Sequence, residues 1–356
     1  MEVVSRISKW SFYLLLFPVV MGICGWQGWA WWSWAASPVS SAKSETTATW
    51  VQVEIPLGTT SQEIGENLEA VGLIRSAKAW DLWSRWLRLQ TDEGDFQAGV
   101  YQLSPTQSMA EIAELLWLGK VVQMSYMIPE GWNIKQMASY FEAQGFFSAA
   151  AFVAATRQNY EREYPWLPRD LPHLEGFLYP DSYQMPKDTI TPDSVVRQML
   201  GEFERVAVPV YQQAQQNTSM SLSEWVTLAS IVEKEAVVSS ERAIIAGVFT
   251  QRLHLGMRLE ADPTVEYGLG IKQTRDRPLT YQQVSTASPY NTYLNRGLPP
   301  TPITSPGVAS LKATLYPEET DYLFFVARYN GTHIFSRTLA EHNAAIATVE
   351  NSLFSR

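Results

Sequence analysis

Glu233 is the residue whose type and setting point most directly to chemistry. It lies in the stretch SLSEWVTLASIVEKEAV, residues 221–237. At about 100° per residue, a helix here carries Leu222, Trp225, Val226, Ala229, Val232 and Ala236 on one arc. Glu233 falls inside that arc, between Leu222 and Val226, while Glu224 and Glu235 point elsewhere and Lys234 faces solvent. A carboxylate on a buried face costs several kcal/mol if it is charged and unpaired, so it either has a cationic partner or stays protonated. The protonated form is a general acid. Burial can raise a Glu from about 4.3 toward about 6 to 7, a shift worth roughly 3 to 4 kcal/mol. The alternative is a structural Glu bonded to backbone or to an arginine such as Arg242 or Arg252, and the helix alone leaves both readings open.

Other polar and aromatic residues collect around it in segments held by prolines. LEGFLYPDSY carries Glu175, Tyr179, Asp181 and Tyr183, and RLEADPTVEYGLG carries Asp262 just before Pro263, which reads as an N-cap with Pro at N1. SPYNTYLNRGLPPTPITSPG adds Tyr290, Asn291, Tyr293 and Asn295 in a stretch too rich in Pro for regular structure. It suits a loop lining a sugar cleft, although loops are also simply where such residues accumulate. No metal or cofactor site is expected. His173, His254, His333 and His342 are far apart without ligand spacing, and the only cysteine, Cys24, can build neither a disulfide nor a thiolate site within one chain. A net charge of -9 and the absence of Lys/Arg clusters argue against a nucleic-acid partner.

The elements that must position these groups are legible in part. Ser221 with Glu224 makes a capping box that opens the Glu233 helix. Asp321 to Tyr329 and Thr332 to Thr338 flank Asn330-Gly331, a hairpin signal, and Thr338 with Glu341 caps a last helix. At 356 residues and 46% apolar composition, the chain can build one large or two modest cores.

The N-terminal region reads as an anchor and a tether. No charge occurs from Trp10 to Ala42, and Phe12 to Trp34 is predominantly apolar, long enough for the about 20 residues of a spanning helix. Arg6 and Lys9 before it place the N-terminus in the cytoplasm and the bulk of the chain outside, and Trp26, Trp29, Trp31, Trp32 and Trp34 crowd its outer end. A cleavable signal peptide, processed near Ala35 to Ser37, would have a shorter and less Trp-rich apolar region. Ser37 to Thr49 then reads as a flexible tether.

Beyond the tether the chain repeats itself. IPLGTTSQEIGENLEAVGLI from Ile55 aligns without gaps on IPEGWNIKQMASYFEAQGFF from Ile128, and YQLSPTQSMAEIAELLWLG from Tyr101 shares the EIxExL core of the helix. Each copy reads as a strand, a Gly turn and an amphipathic helix; in the first, Thr60 and Glu63 have capping-box spacing and Ile64, Leu68 and Val71 form the stripe. The arrangement resembles LysM modules, which grip N-acetylglucosamine polymers, and it equally fits a structural β-α repeat with no ligand. The expected fold class is α+β, with a transmembrane helix (1–36), a linker (37–49), a small β-α, LysM-like subdomain (50–125) and a mixed α+β catalytic domain (126–356).

Five ordered strings, LEGFLYPDSY, ASIVEKEA, AGVFTQRLHLGMRLEADPTVEYGLG, SPYNTYLNRGLPPTPITSPGVASLKA and DYLFFVA, resemble the endolytic murein lytic transglycosylase family (YceG-like). The likeness runs from about Ile128 to the end. Only Ala236 and the residues after it depart from the commoner Thr-Gly ending of the EKE motif. The resemblance implies that Glu233, the first Glu of that motif, is the acid/base. It implies cleavage of MurNAc-GlcNAc bonds in peptidoglycan glycan strands to give 1,6-anhydro ends, trimming or terminating strands during wall synthesis. A penicillin-binding synthase is then the implied partner, and the cytoplasmic (inner) membrane, with the enzyme on its outer side, the implied location. Glu175, Tyr179, Asp181, Glu235, Asp262, Tyr290, Asn291 and Tyr293 are the candidates for substrate contact. Two other readings stay open: a lysozyme-like hydrolase with Glu175, Asp181, Glu235 or Asp262 as second carboxylate, or a wall-binding scaffold without catalysis.

Overall fold

The structure, a computed structural model, describes residues 16–40, 50–90, 94–216, 218–274, 277–328 and 330–354. The chain divides into two compact units, one of residues 1–124 with 184–189 and one of residues 125–183 with 190–356. Among the described residues the strands form three two-stranded sheets, and the elements are mixed α and β.

In the first unit, α1 (Phe17–Ala36) is followed by β1 (Val51–Ile55), α2 (Ser61–Ala70), α3 (Ala77–Gln90), β2 (Gly99–Leu103) and α4 (Met109–Trp117). β1 and β2 pair antiparallel from Val51↔Leu103 to Ile55↔Gly99. Both helices of the repeat start with a reciprocal capping box, Thr60 with Glu63 and Ser108 with Glu111. They bury Ile64 and Leu68, and Ile112 and Leu116, in one core with Trp80. Gly65 is needed there, because a Cβ would stand 2.6 Å from the Trp80 ring. The expected stripe stops short of Val71, which is 50% exposed. It is the C-cap, where the chain leaves the helix through the positive φ of Gly72.

Among the described residues no helix is long and apolar enough to cross a membrane. The expected span begins at Phe12, and with Arg6 and Lys9 its start lies outside the described residues. Trp26, Trp29 and Trp34 on α1 are exposed, whereas Ala35 is buried in the core of the first unit and Trp32 packs beside it. Of the expected tether only 37–40 is described. It is held by Arg75, which donates to the Pro38 and Val39 carbonyls, and by the Ser40 N–H bonded to the Pro105 carbonyl.

β3 (Gln123–Met127) and β4 (Ser182–Pro186) form the second sheet. The second unit contains α5 (Ile134–Ala143), α6 (Ala149–Ala155), α7 (Pro192–Ala214), α8 (Leu222–Glu235), α9 (Arg242–His254), α10 (Asp262–Leu269), α11 (Tyr281–Val284), α12 (Val308–Leu315), β5 (Phe324–Ala327), β6 (His333–Ser336) and α13 (Leu339–Phe354). α5 is the helix of the repeat copy that begins at Ile128, capped by Asn133 with Gln136. β5 and β6 pair as the expected hairpin, with the Thr332 N–H bonded to Asn330 Oδ1, and Thr338 accepts from the Glu341 N–H at the start of α13.

α8 is the centre of this unit. Its capping box forms as expected, Ser221 with Glu224, but its burial is not confined to one arc: every residue from Trp225 to Val232 is buried. Leu228 and Ile231, off the predicted arc, pack with Ile245, Ala246 and Phe249 of α9, while Trp225 donates its indole N–H to the Leu311 carbonyl of α12. A helix covered on all sides needs apolar residues all round, and only its two ends reach the surface, at Glu224 and at Lys234.

Candidate active site

The last turn of α8 is covered by residues 301–307, a loop buried throughout despite lacking regular structure. Its peptide groups must therefore find partners inside the protein. The Ile303 N–H bonds to Ser230 Oγ at 3.0 Å, Thr304 Oγ1 donates to the Ser230 carbonyl at 3.3 Å, and the Ser305 N–H bonds to the Trp132 carbonyl at 2.8 Å. The Gly307 N–H, at the N-cap of α12, donates to Glu233 Oε2 at 3.1 Å. On the other side, Arg242 Nη2 from the start of α9 lies 3.9 Å from Glu233 Oε1, and the Glu233 side chain is 8% exposed. Of the two arginines the helix pattern allowed, Arg242 is the neighbour. Arg252 instead serves the Leu323, Arg258 and Leu259 carbonyls.

Sequence reasoning missed Glu130. The turn Pro129-Glu130-Gly131 is fixed to the same loop, since the Gly131 N–H bonds to the Ser305 carbonyl at 2.8 Å. The Glu130 carboxyl lies on the bare Cα of Gly307, where any Cβ would collide with it. Burial raises the pKa of Glu130, the charge of Glu233 raises it further, and Arg242 opposes both. Tyr179 joins the group: it is buried, its hydroxyl is bonded to the Val308 backbone, and it is pushed up to about 12 by burial first and by the charges of Glu130, Asp181 and Glu202. The signal for Glu130 was a difference within the repeat. IPLG in the first copy becomes IPEG in the second, and Leu57, the counterpart of Glu130, is 94% exposed.

A cleft of about 1010 Å³ lies in the same unit. Trp132, Tyr140, Tyr267 and Tyr290 supply aromatic lining, and the exposed cations Lys135, Arg157, Lys234 and Lys272 also border it. Glu233 is not in this lining, but its neighbours Lys234, Ile303 and Thr304 are. Glu175 lines it from a fully buried position. It accepts from the Ile134 N–H at 3.0 Å and from the Tyr267 hydroxyl at 3.1 Å, and burial, against these bonds, pushes it up to about 8. Tyr290 meets Tyr267 edge to face at 4.8 Å and shares a hydrogen bond with Thr301.

The remaining candidates fall elsewhere. Asp262 does not cap α10; the helix begins at Asp262 itself, Ala261 is the N-cap, and no side-chain cap forms. Its carboxylate is instead engaged by the Tyr293 hydroxyl at 2.7 Å and by Gln273 at 3.2 Å. Glu235 belongs to this cluster, pushed up to about 8 by burial and then by Asp262 and Glu266, with Lys234 opposing. Asn291 is a buried staple whose amide donates to the Val284 and Thr286 carbonyls. Asp181 is exposed and accepts from the Ser182 N–H. Among the described residues no group of His, Cys, Asp and Glu is arranged to hold a metal ion.

Residues 53–348 match the YceG-like family. Among curated proteins, a Bacillus subtilis endolytic murein transglycosylase is 31% identical over 83% of this chain and 84% of its own length. A Streptococcus pneumoniae protein of the same name is 27% identical over 98% of this chain and 66% of its own length. Among solved structures, a yceG-like protein of Listeria monocytogenes has a TM-score of 0.57 at 33% identity, over 84% of this chain and 99% of that one.

Two raised carboxyls, the buried Glu175 and the half-buried Glu235, tie stability to pH. Glu175 and Glu235 stand at about 8 in the folded chain against an ordinary 4.5. Between those values the folded state holds more protons than the unfolded state, so stability falls as pH rises through the window. Glu175→Gln removes one of the two contributions. Urea midpoints measured at about pH 5 and about pH 9 should fall less between the two conditions in the variant than in the wild type. Equal declines would show that Glu175 does not carry the effect.

Proposed function

The chain belongs to the YceG-like family, and from that premise we propose that it is an endolytic murein transglycosylase, a lyase that cuts peptidoglycan glycan strands, with Glu233 as its acid/base. The observation that carries the assignment of Glu233 is its setting: a carboxyl almost withdrawn from water, aimed by a buried loop, with Arg242 and a peptide N–H at hand to stabilise the carboxylate when it forms. The reaction needs only this one group. Protonated Glu233 gives its proton to the leaving glycosidic oxygen. The carboxylate then takes the proton of the C6 hydroxyl of N-acetylmuramic acid as that oxygen closes the 1,6-anhydro ring, so no water is consumed and the enzyme ends as it began. Ordinary glycosidases divide the same work between two carboxylates. The cleft supports a glycan ligand: aromatic rings suit sugar faces, and cations at its border, in a chain of net charge -9, suit a strand whose peptides carry carboxylates.

Glu233→Gln keeps size and fold but cannot release and retake a proton. It should lose on the order of 10²- to 10⁴-fold of the release of 1,6-anhydro muropeptides from purified strands, read by mass spectrometry, while Glu235→Gln loses much less. Equal losses in both variants would return Glu233 to a structural role, and reducing ends in place of anhydro ends would make the enzyme a hydrolase.

The N-terminus is proposed as a single uncleaved anchor that holds the catalytic unit outside the cytoplasmic membrane, with a penicillin-binding synthase as partner. Support comes from the uncharged stretch Trp10 to Ala42, the positive flank of Arg6 and Lys9 and the exposed tryptophans of α1. The described helix alone does not reach the length and apolarity of a span, and the apolar run starts before it. Reporter fusions after Thr49 should be active only with reporters that work after export; activity of a cytoplasmic reporter refutes the topology.

The capped strand-helix copies of the first unit are proposed to grip glycan in the manner of LysM modules. Removing residues 50–120 should then weaken binding to isolated strands in a chain that circular dichroism finds folded. Undiminished affinity would leave the repeat a structural one.

A further inference from the structure

We propose that Glu130 is a second functional carboxyl of this site, a positioning residue that acts on Glu233 through the Arg242 guanidinium and the Gly307 peptide between them. The proposal rests on the reading of Glu233 as the acid/base. Its basis is a meeting of three segments. The Gly307 N–H is taken by Glu233 Oε2 at 3.1 Å, and the Cα of the same residue is covered by the Glu130 carboxyl. Only glycine leaves room for both.

Glu130 is not on a free loop. Its turn is tied down on both sides, by the Ile128 N–H to the Asp181 carbonyl at 2.9 Å and by the Gly131 N–H to the Ser305 carbonyl at 2.8 Å. At Gly131 a Cβ would stand 3.7 Å from Glu233 Cγ, which puts the turn directly against the α8 end. Arg242, whose side chain is 14% exposed, lies 3.9 Å from Glu233 and its charge also acts on Glu130, and its Nε is buried without a hydrogen-bond partner among the described residues. The charged and titratable groups around the pair are Arg242 from α9, Lys234 from α8, against the Gly131 turn, and Tyr179 ahead of β4. Tyr179, at about 12, stays a neutral hydroxyl across the working range.

A second carboxyl in this site feels the charges of both Glu233 and Arg242. The raised pKa of Glu130 agrees with this. The role follows from the reaction. Glu233 must give a proton to the leaving oxygen and must be a carboxylate when the C6 hydroxyl arrives; Glu130, packed on Gly307, holds in place the peptide N–H that, with Arg242, stabilises that carboxylate. Glu130 itself exchanges no proton with the substrate.

The test is kcat and KM, measured separately, for release of anhydro muropeptides from isolated strands, with circular dichroism as the fold check. Glu130→Gln should lower kcat about tenfold with KM changed less than about twofold. Glu130→Asp, which keeps the acid but shortens its reach to the Gly307 peptide, should recover only part of that loss. Wild-type kcat in folded Glu130→Gln overturns the proposal, as does a rise in KM alone, which would make Glu130 a substrate contact. If Glu130→Gln fails to fold, Glu130→Asp decides: a wild-type kcat with the shortened side chain overturns it. Full activity in Glu233→Gln is a separate result that removes the premise instead.

Discussion

The site depends on one constraint, that the buried peptide groups of residues 301–307 must be hydrogen-bonded without regular secondary structure. A buried N–H or C=O left unpaired costs about 1–3 kcal/mol. The sequence answers in two ways. Pro302 and Pro306 remove donors that would otherwise need partners, the Ile303, Ser305 and Gly307 N–H groups turn to Ser230, Trp132 and Glu233, and the Ser305 carbonyl accepts from Gly131. Ser230 is fully buried in the middle of α8 and is one turn before Glu233. The serine that steadies the loop and the glutamate that receives its last N–H thus lie on one face of one helix, and the loop cannot settle without aiming the carboxyl.

Three kinds of carboxyl result, separated by what surrounds them. Glu233 has a cation, a peptide donor and a narrow opening to solvent. Glu175 has no cation in bonding contact among the described residues; it is wholly buried, and burial pushes it up to about 8 against the bonds from the Ile134 and Gly176 N–H groups and the Tyr267 hydroxyl. Glu235 is raised as far, in part by like charges. Only the first arrangement favours both giving a proton and holding the resulting charge, which is what an acid that later becomes a base requires. The other two can position neighbours and bind neutral polar groups.

What could be read in the sequence was local. Capping boxes at Thr60 and Ser221 involve residues three apart, the Asn330-Gly331 hairpin is shorter still, and each is where its spacing put it. Glu233 stood out because a helix converts sequence spacing into direction. What failed depended on contacts between distant segments. The single arc of α8 was too narrow because α9 covers the opposite side, and Asp262 does not cap its helix because Tyr293, 31 residues on, claims the carboxylate. Asn291 has a composition suited to a sugar-binding loop, yet its amide is used within the loop itself.

Glu130 shows why a repeat can conceal a site. The capping box that opens α5 satisfies the Asn133 and Gln136 N–H groups and leaves that of Ile134, the first helical residue, without a partner in its own turn. Glu175 takes it, at 3.0 Å, and so the start of this helix is fixed to the floor of the cleft. The residues just before the helix then have little freedom: Trp132 must line the cleft and bond to Ser305, Gly131 must turn with φ 76°, and position 130 is left facing Gly307. In the first copy the same position carries Leu57 and faces water. A general strand-turn-helix unit becomes part of the candidate site when two other segments accept its spare donor and its turn, and the only trace of this in the sequence is a leucine replaced by a glutamate.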